Sequence, residues 1–129
     1  DTEYKTDYDK AYIDELLSKL TGLGAKNIIL TGVSYIEGKT GVVVFENGNY
    51  LYYEHEKLSN GCHGTGDIYA SAFTGALLKG KDAYTSAKIA ADYVLECIKE
   101  TQNKDENEEP HWYGAKFEPV LYKLIQALN

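Results

Sequence analysis

Only two cysteines, Cys62 and Cys97, occur in the 129 residues, and they form no CxxC pair. A disulfide framework or a zinc site needs more ligands, so both read as free thiols in a reducing compartment. No apolar run approaches the roughly 20 residues of a membrane span. No charged-then-apolar leader opens the chain. Basic charge is also scarce: 13 Lys and Arg stand against 20 Asp and Glu, for a net charge of −7. An acidic chain without a basic cluster is poorly suited to nucleic acid, although local backbone amides still bind phosphate. The expectation is therefore a cytoplasmic protein with no nucleic-acid and no membrane partner. An initial Met is absent too. The chain starts at Asp1, which hints at a piece of a longer or processed protein.

What is present suits a soluble fold. Hydrophobic residues make up 43% and charged residues 26%, as expected of a single globular domain over residues 1–129. Residues 8–21 carry Ile13, Leu16, Leu17 and Leu20 at helical spacing, and Gly22 and Gly24 follow as a stop. The short apolar run 27–33 then reads as a buried parallel strand. Strands at 41–45 and 50–54 flank Asn47-Gly48, a strong hairpin signal, and should pair antiparallel. Ser59-Asn60-Gly61 reads as a loop. Two helices are expected at 68–79 and 82–99, the second with Ala83, Ala87, Ala90, Val94 and Ile98 on one stripe. The acidic run 101–110 reads as a solvated loop. A last helix covers 117–128, with Glu118 and Pro119 in its first turn.

The first strand follows a helix that no strand precedes, whereas a βαβ unit needs a strand on each side of its helix. The sheet thus looks cut in the middle. Strand 27–33 should lack a neighbour on one side, and an open edge invites self-association.

The chemistry centres on Gly64-Thr65-Gly66-Asp67 at a helix start. Glycines let the backbone approach a ligand, and the first helix amides have no intrahelical partners. Together with the helix dipole these amides form an anion site suited to the oxygens of a phosphoryl group in transfer. A carboxylate beside that site can accept the proton of an attacking hydroxyl. Loose phosphoryl transfer needs little early deprotonation, so orientation outweighs basicity. The plainer reading of Asp67 is a helix cap.

At His63-Gly64-Thr65-Gly66-Asp67-Ile68-Tyr69-Ala70-Ser71-Ala72 the sequence resembles the second signature of the ribokinase superfamily. Cys62-His63-Gly64-Thr65-Gly66-Asp67 stands where sugar kinases show Asp-Thr-x-Gly-Ala-Gly-Asp, which is closer to the pyridoxal kinase branch. Hydroxymethylpyrimidine kinases are similar but often carry Cys where Asp67 stands. Leu23–Gly32 resembles the helix-to-strand step before the nucleotide loop, and Tyr113–Pro119 resembles a family tail. The likeness covers almost the whole chain, but only the second half of such a kinase.

The resemblance implies an α/β fold: the C-terminal, nucleotide-binding half of a three-layer α/β/α domain, with a partly parallel sheet and a β-hairpin. It implies Asp67 as catalytic base for a primary hydroxyl of pyridoxal, pyridoxine or pyridoxamine. Gly64, Thr65 and Gly66 would form the anion hole. Thr31 and Gly32 would lie near the phosphates of ATP, and His55, Cys62 and His63 would border the nucleotide. Mg2+ would accompany ATP, with its ligands mostly in the N-terminal half. No metal ligand is expected in this chain, and His55 and His111 lack spaced partners. The full-length enzyme is expected to be a homodimer, and this piece alone is expected to be inactive. The alternatives are a hydroxymethylpyrimidine or sugar kinase of the same superfamily, a non-catalytic nucleotide-binding module, or a folding fragment with no native function.

Other residues read more plainly. His63 fits a loop histidine with a structural hydrogen bond better than a phosphate contact. Cys62 fits a packed thiol better than a nucleophile. The twelve tyrosines suit half-buried sheet faces. Trp112 is expected to pack in a loop.

Overall fold

The computed structural model describes residues 9–58, 62–103 and 114–129. The expected loop at 59–61, most of the acidic run, and His111, Trp112 and Tyr113 lie outside the described residues. The chain divides into two compact units, residues 1–57 and 58–129.

In the first unit, α1 spans Lys10–Gly22. The Asp9 carboxylate caps it by accepting the Tyr12 N–H at 3.0 Å. Past its end, the Gly24 N–H reaches the Thr21 carbonyl and the Ala25 N–H reaches the Leu20 carbonyl. This pair of bonds stops a helix cleanly. Strands β1 (Asn27–Val33), β2 (Lys39–Glu46) and β3 (Asn49–Glu56) form one sheet in that order. Asn47 and Gly48 both take positive φ, 53° and 78°, at the tight turn joining β2 to β3. That is the geometry the Asn-Gly pair favours.

The expected parallel pairing of β1 is corrected. Its partner in this sheet is β2, antiparallel, from Asn27↔Glu46 to Val33↔Gly41. The five-residue connection 34–38 turns the chain straight back, whereas a parallel partner would need a long crossover. Nor is β1 buried throughout: Asn27, Thr31 and Gly32 are exposed and only Ile28 and Val33 are buried. It is the edge of the sheet among the described residues, as anticipated. β2 is the central strand, and its consecutive Val42, Val43 and Val44 are all buried. Each such side chain contributes roughly 1.5 kcal/mol or more. Tyr12, Ile13 and Leu17 of α1 join Ile28, Val33 and Val43 in one core cluster.

The second unit is helical. α2 spans Thr65–Leu78 and α3 spans Ala83–Gln102. A 3-10 turn at Glu118–Val120 leads into α4 (Leu121–Leu128). The Asp82 carboxylate caps α3 by accepting the Thr85 N–H at 2.7 Å, and that bond holds its pKa below the ordinary value. α2 and α3 pack through small residues, with Ala72, Ala76, Ala87 and Ala90 all buried. The buried stripe of α3 runs through Ser86, Tyr93 and Cys97 rather than Val94 and Ile98, which are half-buried. Lys123 of α4 pairs with Glu96 of α3.

Gly41 supports a prediction. A Cβ added there would fall 2.1 Å from the Tyr53 carbonyl oxygen, on the neighbouring backbone. Backbone cannot swing aside as a side chain can. Gly41→Ala should therefore destabilise the protein by about 3 kcal/mol, read from its urea unfolding midpoint.

Candidate active site

The site is built on the turn into α2. Gly64 is the N-cap residue, with φ 83° and ψ 0°. This left-handed backbone strains any residue with a side chain. A Cβ there would meet nothing within 4 Å, so conformation rather than crowding calls for glycine, and the space above the turn is open. The helix ladder begins with the Ile68 N–H donating to the Gly64 carbonyl at 3.1 Å. The amides of Thr65, Gly66 and Asp67 come earlier and have no intrahelical acceptor. The Thr65 hydroxyl donates back to the Cys62 carbonyl at 3.4 Å and closes the loop.

Asp67 lies in the first turn of α2 and is exposed. No side chain caps this turn, so the reading of Asp67 as a cap finds no support. Its carboxylate borders a groove of about 350 Å³ that runs past Ser71, Gly75, Tyr93 and Leu121. A second cavity of about 390 Å³ is bordered by His63, Gly64, Gly114, Ala115 and Glu118. Ile68 and Phe117 border both, so the two adjoin. Gly64 borders one of two adjoining hollows and Asp67 the other, with the first amides of α2 on the stretch of chain between them. Such a set can hold an anion and orient a hydroxyl.

The structure thus brings Cys62, His63, Gly64, Thr65, Gly66 and Asp67 into one turn. Cys62 is half-buried and packs against the cluster containing Cys97. Burial pushes the Cys97 thiol up to about 11, far from a reactive thiolate. The exposed His63 accepts the Ala115 N–H with its carbonyl at 3.1 Å. Thr31, Gly32 and His55 belong to the first unit. Thr31 and Gly32 are exposed at a bulge in β1, where Gly32 takes φ 73°. His55 lies on β3 opposite Thr40, its Nδ1 3.0 Å from the Glu56 carbonyl.

Sequence reasoning missed the strap 114–117, which crosses behind the turn. Besides the Ala115 bond to His63, the Lys116 N–H donates to the Thr101 hydroxyl at 2.8 Å. The Tyr93 hydroxyl donates to the Phe117 carbonyl at 2.9 Å. These partners are 15 to 52 residues apart, so no local period announces them. The only sequence signal was the tail pattern around Gly114.

The model of the phosphomethylpyrimidine kinase family matches residues 3–112. The chain belongs to that family. It is 29% identical over 86 residues to a hydroxymethylpyrimidine/phosphomethylpyrimidine kinase of Aquifex aeolicus, covering 65% of this chain and 33% of that one. A Bacteroides thetaiotaomicron protein assigned as a phosphomethylpyrimidine kinase superposes with a TM-score of 0.82 at 27% identity, covering 95% of this chain and 42% of that chain. Its orthorhombic form, crystallised with pyridoxal, gives 0.81 at 28%, covering 95% and 43%. A pyridoxal kinase of Lactobacillus plantarum shares the fold, with a TM-score of 0.78 at 20% identity and coverage of 95% and 43%. The expected α/β kinase fold is therefore present. The chain spans about a third to two fifths of the length of these relatives. Among the described residues no helix is long and apolar enough to cross a membrane.

The buried Tyr93 gives a pH prediction. Burial, with smaller contributions from Cys97 and Glu118, raises its pKa from 10.0 to about 12. The folded state thus favours the neutral phenol. Its contribution to stability is complete below pH 10 and is lost as the pH rises through about 12. Unfolding midpoints measured from pH 9 to 12 should fall across that window, and less steeply for Tyr93→Phe.

Proposed function

We propose that the full-length protein carrying this chain is an ATP-dependent kinase. It transfers the terminal phosphoryl group to the primary hydroxyl of pyridoxal, pyridoxine or pyridoxamine. The observation that carries this reading is the exposed Asp67 carboxylate beside the free amides of Thr65 and Gly66, in a chain of a kinase family. The relative crystallised with pyridoxal supports the B6 substrate. A second reading, phosphorylation of hydroxymethylpyrimidine, is favoured by the Aquifex relative and by the family's own description. Both acceptors present a primary hydroxyl on a heteroaromatic ring, which the same turn would serve.

The donors present fit a nucleotide phosphate: helix-start amides without an intrahelical acceptor, a glycine without a Cβ, and open space where that Cβ would be. ATP supplies the phosphoryl group when bound. The amides of Thr65 and Gly66 hold its oxygens as negative charge spreads over them. Asp67 aligns the alcohol and takes its proton while the new O–P bond forms and the bond to the departing ADP breaks. Thr31, Gly32, His55, Cys62 and His63 remain the proposed nucleotide contacts. Mg2+ is proposed to accompany ATP, with its ligands mostly in the N-terminal half. Among the described residues no three His, Cys, Asp or Glu side chains gather where a metal would bind, and no step is derived through it. The full-length enzyme is proposed to be a homodimer, and this chain alone is proposed to be inactive.

Asp67→Asn in the full-length protein should lower kcat by roughly 10²- to 10⁴-fold while leaving the fold intact by circular dichroism. Unchanged turnover would reduce Asp67 to a bystander. In a panel of acceptors, kcat/KM should be highest for a B6 vitamer, and preference for hydroxymethylpyrimidine would select the second reading. Turnover of pyridoxal by the 129 residues alone would refute their inactivity.

A further inference from the structure

The strap is fastened at three successive residues to three different supports. The Ala115 N–H binds the carbonyl of His63, the residue just before the glycine N-cap of α2. The Lys116 N–H binds the Thr101 hydroxyl, which in turn donates to the Cys97 carbonyl at 2.6 Å. The Phe117 carbonyl accepts the Tyr93 hydroxyl. Thr101, Cys97 and Tyr93 all belong to α3. α3 therefore fixes the strap, and the strap fixes the loop from which the anion-holding amides emerge. The strap also borders both cavities through Phe117, and the cavity at Gly64 through Gly114 and Ala115.

Each side chain carries a polar atom that reaches the strap in addition to whatever it packs against. A Thr hydroxyl in a helix usually bonds only the carbonyl one turn back. Here its oxygen also receives an amide from a distant segment, using both its donor and an acceptor site. Tyr93 is buried, and its hydroxyl donates to the strap backbone while also meeting the Cys97 thiol.

We propose that Thr101 and Tyr93 are positioning residues for phosphoryl transfer, holding strap 114–117 so that it sets the placement of the turn at residues 63–66. Both reach the turn through the strap and its Ala115–His63 bond, and Tyr93 also borders the groove that Asp67 lines. This inference rests on the kinase reading of the turn. A displacement of a fraction of an ångström there weakens contacts made to the migrating group more than contacts to the acceptor alcohol.

The test uses the full-length kinase. Thr101→Val keeps the shape and removes the hydroxyl, Thr101→Ser keeps the hydroxyl, and Tyr93→Phe removes one oxygen. Thr101→Val and Tyr93→Phe should each lower kcat/KM for ATP about tenfold or more, with KM for the alcohol nearly unchanged. Thr101→Ser should restore the rate to within about threefold of the parent. Lower thermal stability with unchanged kcat/KM in the folded variants overturns the proposal, as does a Ser variant as slow as the Val variant. If Thr101→Val does not fold, Tyr93→Phe decides alone by the same split. Asp67→Asn runs alongside: full activity there sinks the site reading itself, whereas loss there with unaffected strap variants sinks only this inference.

Discussion

The left-handed backbone at Gly64 is the constraint from which the site follows. An α-helix always leaves its first amides without internal acceptors, and usually a side chain or water takes them. Here the chain enters α2 at φ 83° through a residue with no side chain to give. The amides of Thr65 and Gly66 precede the first bond of the helix ladder, and Asp67 lies exposed in the same first turn. Any residue with a Cβ at 64 would be strained in this backbone conformation.

That exposed end is stable because everything behind it is fastened. Small residues let α2 and α3 approach closely, and the Tyr69 hydroxyl reaches across to the Ala87 carbonyl at 3.0 Å. The strap joins α3 to the loop before the turn: its backbone bonds the Thr101 and Tyr93 side chains of α3 on one side and the His63 carbonyl on the other. Residues 114–117, which form no helix or strand, are thus tied at three points to the rest of the second unit.

The first unit obeys a different rule. Its β2 strand is central and buried, so its run of valines is dictated by burial rather than by chemistry. β1 is shorter, uncharged and exposed over much of its length, and it ends in a bulge at Gly32. Among the described residues it pairs with β2 on one side only.

Local signals carried much of this. Asp9 and Asp82 as caps, the Asn47-Gly48 turn, the glycine stops and the period of α1 are matters of neighbouring residues, and so the sequence alone determined the elements and placed Asp67 beside the free amides. It also carried the family, because the Gly64–Asp67 pattern is short and contiguous. What it could not determine was pairing. The antiparallel ladder of β1, the burial of Tyr93 instead of Val94, and the strap's hold on His63 each join residues far apart in the chain. Only the tertiary structure decides those, because their energies depend on which surfaces meet, and no period of 2 or 3.6 residues records that.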